Sequence, residues 1–227
     1  MSRPLDNEYG SFYKGYADSA TGELKMSKIT INANPVQIRA AIHTAAEKEI
    51  RYYLNGVLIE GESTYTRVVS TEGHIASVQG YKVENTGTAV FILPQATAKM
   101  ISAKDKFCEF TSDDDGKTWS MITNSVNVNF LPVDGKFPDW RRIVPKPKYD
   151  IEQNPSQFDP ELLIRFSKAA KILGQKTVIV THNNNGAALV SIGLTNYVGV
   201  IIPLTLKFVN EDTIKTFDYK LISALEN

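Results

Sequence analysis

Cysteine is nearly absent from this chain of 227 residues, since Cys108 is the only one. One cysteine excludes an internal disulfide framework and suits a reducing compartment. Apolar runs near the roughly 20 residues that span a bilayer are also missing, and residues 1–9 are too polar for a signal peptide. Neither sign of charge dominates, because 25 Lys and Arg balance 25 Asp and Glu. We therefore expect a soluble cytoplasmic protein with no membrane partner, in which a neutral total charge can still hide a basic face.

Patterns that support catalysis or metal binding are scarce as well. Cys108 stands alone in an apolar stretch, and the three histidines, His43, His74 and His182, lie far apart, without the spacing of a metal site. The acidic run at 113–116 lacks the flanking ligands of a calcium loop, so we interpret it as a solvated turn. The sequence contains no Gly-rich phosphate loop. We predict no catalytic residue, no metal site, no cofactor and no enzymatic activity.

What the chain does contain is a repeated order of one helix followed by three strands. Asn34 and Asp159 are N-cap candidates, each followed by a proline at the first helical position, and Pro94 opens a shorter helix between them. The helices are predicted over residues 36–48, 94–101 and 160–173. Three copies of one supersecondary unit predict an α+β fold, with helices packed on antiparallel sheets.

The strands follow from short stretches of alternating apolar or β-branched residues. They are predicted at 28–32, 51–54, 57–60, 65–70, 75–78, 89–93, 107–111, 119–123, 126–131, 177–181, 187–192 and 197–206. Turns are assigned to Asn55-Gly56 and to residues 71–74, 113–116 and 183–186. This gives an N-terminal arm or added strands at 1–27, one full domain at 28–146 and a second, shortened domain at 147–227, with a Pro-rich connector at 137–155 between the two domains.

Basic residues lie on the helix surfaces that the apolar stripes leave free. Three of them are spaced three residues apart on the last helix, so they occupy neighbouring parts of one face. Two interpretations remain open, a solvated helix face or a face presented to a phosphate backbone. The basic residues are Arg39, His43 and Lys48 on the first helix, Lys99 on the second, and Arg165, Lys168 and Lys171 on the third.

Three motifs occur in order across about 95 residues, and together they resemble one family. They are RYYLNGVL at 51–58, STEGH at 70–74 and VDGKFPDWRRIVP at 133–145. The first resembles the start of the middle domain of the bacterial sliding clamp, the β subunit of DNA polymerase III. The second follows at that family's spacing, and the third is similar to the segment that closes the same domain. Ile75 and Ala76 stand where the family has Arg and Leu, and residues 1–27 have no match.

The resemblance implies a DNA-clamp fold whose helices line a central hole and whose subunits close head to tail into a ring around duplex DNA. A two-domain subunit reaches the six domains of such a ring as a trimer. The implied partners are double-stranded DNA without sequence preference, further copies of the chain, and a DNA polymerase and clamp loader that dock through short peptide motifs. The implied DNA-binding residues are Arg39, Lys48, Tyr52, Tyr53, Lys99, Arg165, Lys168 and Lys171. The implied peptide groove comprises Leu54, Thr71, Gly73, His74, Pro138, Arg142 and Ile143.

Two other classes of protein stay open at this point. A clamp-like adaptor, of a kind that a phage or mobile element could carry, would bind clamp-interacting partners without encircling DNA. A structural β-rich protein would leave the helix charge and the three motifs unexplained. Tyr52 and Tyr53 likewise have two interpretations, since they either stack on bases or place one ring inward and leave the other half-exposed on the sheet.

Overall fold

The computed structural model describes residues 28–145, 157–181 and 186–204. Several predicted features lie outside these ranges. They are the arm at 1–27, the connector from 146 onward, the first three residues of the turn at 183–186 and the end of the strand at 197–206.

Four α-helices and eleven strands make up the described residues. The helices are α1 (Pro35–Ala41), α2 (Gln95–Ala98), α3 (Trp140–Ile143) and α4 (Pro160–Ile172). The strands are β1 (Ile29–Ala33), β2 (Gly56–Glu62), β3 (Tyr65–Thr71), β4 (Ile75–Lys82), β5 (Ala89–Pro94), β6 (Cys108–Ser112), β7 (Trp119–Thr123), β8 (Asn127–Phe130), β9 (Ile179–Thr181), β10 (Ala188–Ser191) and β11 (Tyr197–Ile201). A helix followed by three strands therefore recurs three times, as the sequence predicts.

The strands form two antiparallel sheets, in the orders β1-β6-β7-β8 and β5-β2-β3-β4-β11-β10-β9. The first two units exchange their leading strands, because β1 pairs with β6 of the second unit and β5 pairs with β2 of the first. The third unit joins the larger sheet through β11, which pairs with β4 from Ile75↔Ile201 to Tyr197↔Gln79. One continuous sheet thus connects the first and third units.

The helices α1 and α4 pack side by side on one face of the larger sheet. Thr44, just after α1, places its Oγ1 2.7 Å from Ser77 Oγ on β4. Ile75 points to the same face as Ser77, because strand side chains alternate, and it belongs to the core that holds Phe166 of α4. The opposite face carries Leu58, Val69, Val78 and Ile92, which are covered by a later segment of the chain.

The predicted helix starts are confirmed, since the capping side chains satisfy N–H groups that a first turn leaves free. Asn34 Oδ1 accepts a hydrogen bond from Val36 N at 2.9 Å, and Asp159 Oδ1 accepts one from Glu161 N at 2.9 Å. Gly174 follows α4 with φ +73°, a conformation that favours glycine.

The first helix is shorter than the predicted 36–48. It ends as an α-helix at Ala41, and turns continue to Ala45, whose N–H donates to Ala41 O. Ala46 N then donates to Leu54 O, and Lys48 has φ +58°, which a right-handed helix does not allow. The prediction that Lys48 lies on the helix is therefore wrong, because the hydrogen bond from Ala46 to Leu54 takes the chain out of the helix at residue 46.

The prediction of a strand at residues 51–54 is also wrong, since Tyr52–Leu54 forms a 3₁₀ turn. The Asn55 side chain accepts from Glu49 N at 2.9 Å and donates to Glu49 O at 2.8 Å, which closes a loop ahead of β2. Gly56 is the first residue of β2 and not part of a hairpin turn. A Cβ on Gly56 would lie 2.8 Å from Leu93 O, so close approach to β5 requires glycine there.

Candidate functional site

Several of the basic residues predicted to meet DNA lie around the contact between α1 and α4. Arg39 is half-buried on α1, whereas Lys168 and Lys171 are exposed on α4. Lys99 follows α2, and its ammonium lies 3.3 Å from Glu47 Oε1 in an exposed ion pair, a type that contributes little to stability. The structure therefore brings cations from α1 and α4 together and gives Lys99 an acidic neighbour.

Arg165 contacts the end of α1 and is not simply a free cation. Its Nε donates to His43 O at 2.7 Å, and its Nη2 donates to Ala45 O. These carbonyls lie where α1 ends and have no helical N–H partner of their own, so the guanidinium caps α1 from the neighbouring helix. The predicted role of Arg165 in DNA binding remains a prediction, and the structure adds a structural role that the sequence did not reveal.

His43 lies among these cations. Burial lowers its pKa from the ordinary value, and the positive charges of Lys168, Arg165 and Arg39 lower it further, against the opposing charge of Glu47. At neutral pH the imidazole is therefore uncharged. It adds no positive charge to this surface.

An open cavity of about 510 Å³ lies beside α1 and α4. Its walls mix charges, with Lys99, Arg165 and Lys168 facing the acids Glu47, Glu49, Glu72 and Glu161. Because the acids offset the cations, a polyanion is not expected to enter the cavity itself. Phosphate contacts would instead involve exposed helix cations outside the cavity interior: Lys168, which is exposed although it lines the cavity, and Lys171, which does not line it.

Tyr52 and Tyr53 make an edge-to-face pair with ring centroids 5.9 Å apart. The Tyr53 ring packs against the Leu58 and Val69 cluster, while the Tyr52 side chain is 55% exposed. The arrangement has one inward and one outward ring. Stacking of Tyr52 on a base is sterically open and stays a prediction.

Three predicted groove residues, Thr71, Gly73 and His74, share the turn between β3 and β4. Thr71 Oγ1 accepts from Gly73 N at 3.1 Å and donates to Ile75 O at 2.7 Å. The Glu72 carboxylate accepts from the backbone N–H groups of His74 and Ile75 at 2.6 and 2.8 Å. The Thr71 and Glu72 side chains thus hold the backbone of the turn, and Gly73 has φ +111°.

The other groove residues, Pro138, Arg142 and Ile143, lie in or beside α3, and all three are exposed. The segment is anchored by Phe137 and Trp140, which pack on the face of the larger sheet opposite α1. Thr71 points to that same face, because it pairs with Ala76 and lies two residues beyond Val69. Leu54 and Thr71 differ from the other groove residues, since they are 1% and 5% exposed.

Sequence reasoning missed the contact that fixes α3. The Arg141 guanidinium donates to both carboxylate oxygens of Glu60, at 3.2 and 3.0 Å, and Trp140 Nε1 donates to Glu60 Oε1 at 3.2 Å. Arg141 also lies 4.3 Å from the Trp140 ring centroid. The sequence signal for this contact was the basic WRRI segment, but only the fold shows that the segment binds Glu60 on β2.

Groups with possible chemical reactivity are few in the part of the chain that the structure describes. No cluster of three or more His, Cys, Asp or Glu there is arranged to hold a metal ion. Cys108 is buried, and burial raises its thiol pKa. Hydrogen bonds from Thr118 lower the pKa of Asp114 to about 2, so that carboxylate stabilises its own turn. No described helix combines the length and apolar character needed to cross a membrane.

Comparison with known proteins yields bacterial clamps in both sequence and structure. No family model matches the chain. It is 28% identical over 123 residues to the beta sliding clamp of Proteus mirabilis, a match that covers 48% of this chain and 31% of that protein. It is 27% identical over 159 residues to the beta sliding clamp of Vibrio cholerae, covering 66% of this chain and 42% of that one. The chain thus spans about a third to two fifths of the length of these relatives.

Solved structures of similar fold carry the same names. A sliding clamp from Pseudomonas aeruginosa has a TM-score of 0.62 at 16% identity, covering 78% of this chain and 66% of that one. The DNA polymerase III beta subunit of Thermotoga maritima has a TM-score of 0.63 at 17% identity, covering 83% and 69%. A Pseudomonas aeruginosa clamp bound to griselimycin has a TM-score of 0.59 at 17% identity, covering 78% and 65%. The predicted resemblance and fold are confirmed: the chain is similar in sequence to bacterial beta sliding clamps and similar in fold to solved clamp structures.

Proposed function

We propose that this protein is a DNA sliding clamp, a binding protein without catalytic activity that encircles duplex DNA in the cytoplasm and tethers a polymerase or other replication or repair proteins. The observation that carries the proposal is the continuous sheet β4·β11 with α1 and α4 side by side on one face. A layer with helices on one face and sheet on the other can serve as a segment of a ring that repeats by rotation. Its relatives named as clamps support the same function.

In this proposal residues 28–146 form one clamp domain and residues 147–227 begin a second. Three copies joined head to tail then supply six domains. Light scattering should give a native mass near three times 25.2 kDa, about 75.6 kDa. A monomer of 25.2 kDa at all micromolar concentrations would contradict ring formation.

DNA contact is proposed for the exposed cations on the helix face, foremost Lys168 and Lys171. Removing one phosphate contact lowers the slope of log K against log salt by about 0.9. Lys168→Glu with Lys171→Glu should therefore flatten the slope by about 1.8 and weaken binding to every duplex alike. Lys82→Glu with Lys117→Glu changes the charge equally at exposed sites off the helices and should bind as the parent does. An equal decrease in both double variants would remove α4 from the DNA interface.

A peptide groove is proposed beside the β3–β4 turn, between Thr71, Gly73 and His74 on one side and Pro138, Arg142 and Ile143 on the other. Support comes from the exposed apolar side chain of Ile143, which is 38% exposed on the anchored helix α3. Clamp-interacting peptides from a polymerase or loader would place apolar residues there. Buried Leu54 forms at most the floor of this groove.

The groove is tested with a polymerase-derived clamp-motif peptide and the variant Ile143→Ser. Removal of one apolar anchor side chain costs about 1–3 kcal/mol, so affinity should fall roughly tenfold or more. Ile164 on α4 is 42% exposed and offers a matched control, Ile164→Ser. If the parent, folded, binds no such peptide at high micromolar concentration, the groove does not exist.

The second candidate is an adaptor that binds clamp partners without encircling DNA. It is favoured by the acids Glu47 and Glu161 beside the helix cations and by Arg165 being engaged with α1, since both reduce the charge offered to a phosphate backbone. A monomer that binds the peptide but not DNA would support the adaptor over the ring.

A further inference from the structure

Two buried glutamines fasten α1 to the larger sheet beside the joint between the first and third units. Gln79 on β4 donates from its Nε2 to Gln37 O on α1 at 3.0 Å, and Gln37 donates from its Nε2 to Gly80 O at 2.8 Å. The third unit binds the same carbonyl, because Asn196 Nδ2 donates to Gly80 O at 2.9 Å. Gly80 is therefore the point at which α1, β4 and the residue that precedes β11 meet.

Each glutamine uses its amide nitrogen in these bonds, and its side-chain oxygen is left over. Gln37 Oε1 and Gln79 Oε1 have no hydrogen-bond partner among the described residues. The Tyr197 hydroxyl also has none there, and Tyr197 lies directly across the β4–β11 ladder from Gln79. All three side chains are at most 4% exposed, so bulk water does not reach them. Native proteins pair nearly all such atoms, because burying a polar atom without a partner is costly.

The neighbouring hydroxyl groups do not supply these partners. Thr44, Ser70 and Ser77 contact one another, with their side-chain oxygens 2.6, 2.7 and 3.1 Å apart. Burial raises the pKa of Tyr197, and the nearby Ser77 hydroxyl opposes that rise, but the two hydroxyls do not reach hydrogen-bond geometry. Because its pKa is raised, the phenol keeps its proton and can donate it.

We propose that an ordered internal water molecule binds at this site, where it donates to Gln37 Oε1 and Gln79 Oε1 and accepts from Tyr197 Oη. Water fits this set of groups, because the two carboxamide oxygens only accept and a protonated phenol can donate. Buried water typically makes about three hydrogen bonds to polar groups that have no other partner. A cation fits less well, since none of these side chains carries a negative charge that would offset its burial. The water ties α1 of the first unit to β11 of the third, whether or not copies of the chain encircle DNA.

The first test is a crystal structure of the wild-type protein at a resolution that shows ordered water. Electron density is expected for one water molecule within about 2.7–3.2 Å of both Gln37 Oε1 and Gln79 Oε1. Two results would overturn the inference. One is a side chain from elsewhere in the chain bonded to these oxygens, and the other is an absence of water density beside them.

The second test counts long-lived internal water molecules in solution by magnetic relaxation dispersion of the water nuclei. Gln79→Met keeps most of the length of the side chain but removes the oxygen that holds the water, so the count should fall by about one. Gln157→Met makes the same exchange at an exposed residue and should leave the count unchanged. Equal counts in the parent and in Gln79→Met would contradict the proposed site. If Gln79→Met does not fold, the crystal structure of the parent decides.

Discussion

Replacement of Arg165 by methionine should destabilise the protein, although Arg165 lies on a helix surface. Methionine keeps most of the aliphatic stem but removes the donors to His43 O and Ala45 O. Hydrogen bonds from a charged group contribute about 1.5–3 kcal/mol each. Because Arg165 is only half-buried, water partly replaces it at the carbonyls, and we expect the free energy of unfolding to fall by about 2 kcal/mol in total. For a chain of this size that lowers Tm by about 4–8 °C.

The measurement is thermal unfolding followed by circular dichroism, with two companion variants. Lys168→Met removes an exposed cation from the next turn of the same helix and should change the free energy of unfolding by no more than about 0.5 kcal/mol. Arg165→Lys keeps the charge but cannot reach both carbonyls as a fork, so it should restore only part of the stability. The hydrogen-bond energies predict that Tm decreases by several degrees. If the Tm of Arg165→Met lies within about 1 °C of the parent's, the guanidinium does not hold α1 to α4. Reversing the charge of Arg165 in a DNA-binding test would then leave the stability of the protein unchanged, contrary to our expectation.

Three further outcomes follow from local geometry. Burial and neighbouring cations lower the pKa of His43 in the folded state, so below about pH 6.5 the unfolded chain binds a proton at this residue that the folded chain does not bind. The free energy of unfolding should therefore decrease as the pH is lowered below about 6.5. Denaturant titrations of His43→Gln should show a weaker dependence on pH. Gly73→Ala places a Cβ on a residue with φ +111°, 2.8 Å from Arg51 Nη2, and should lower the free energy of unfolding by about 1–3 kcal/mol. Cys108 is 1% exposed, so a thiol reagent should react only as fast as the protein opens; faster labelling would refute its burial.

Local signals predicted the parts of the fold that are decided locally. Asn34 and Asp159 were predicted to cap helices because a short polar side chain directly before a proline is typical of the N-cap position. The alternation in residues 119–123 specifies a strand because one of its faces is buried. Residues 65–70 also form the predicted strand, although both of its faces are buried from Val68 onward. Gly73 is predicted in a turn, and its positive φ confirms it.

Features decided by particular contacts, within a loop or across the fold, were not predictable in the same way. Residues 51–54 carry strand-like side chains, yet the amide of Asn55 binds Glu49 and winds them into a turn. Gly56 resembles a hairpin glycine, but it is required by β5, which is far away in sequence. No periodicity reveals that Arg165 meets the end of α1, because that depends on how two helices pack.

The candidate sites divide along the same line. The motifs placed Thr71, Gly73 and His74 in one turn, and they do share it. They did not distinguish buried Leu54 from exposed Ile143, because a motif records which residues occur and not which of them face solvent. The positive charge predicted from helix spacing is real, but the acids that face it come mostly from other elements.

The central claim, that copies of this protein encircle DNA, is tested most directly by the topology of binding. The wild-type protein is incubated with a nicked circular plasmid and with the same plasmid cut once, and each mixture is filtered at a salt concentration that abolishes simple phosphate contact. An encircling ring stays with the circle and slides off the free ends of the linear form, and linearising the bound circle should release it. Equal retention on circular and linear DNA, or retention on neither, would contradict the claim.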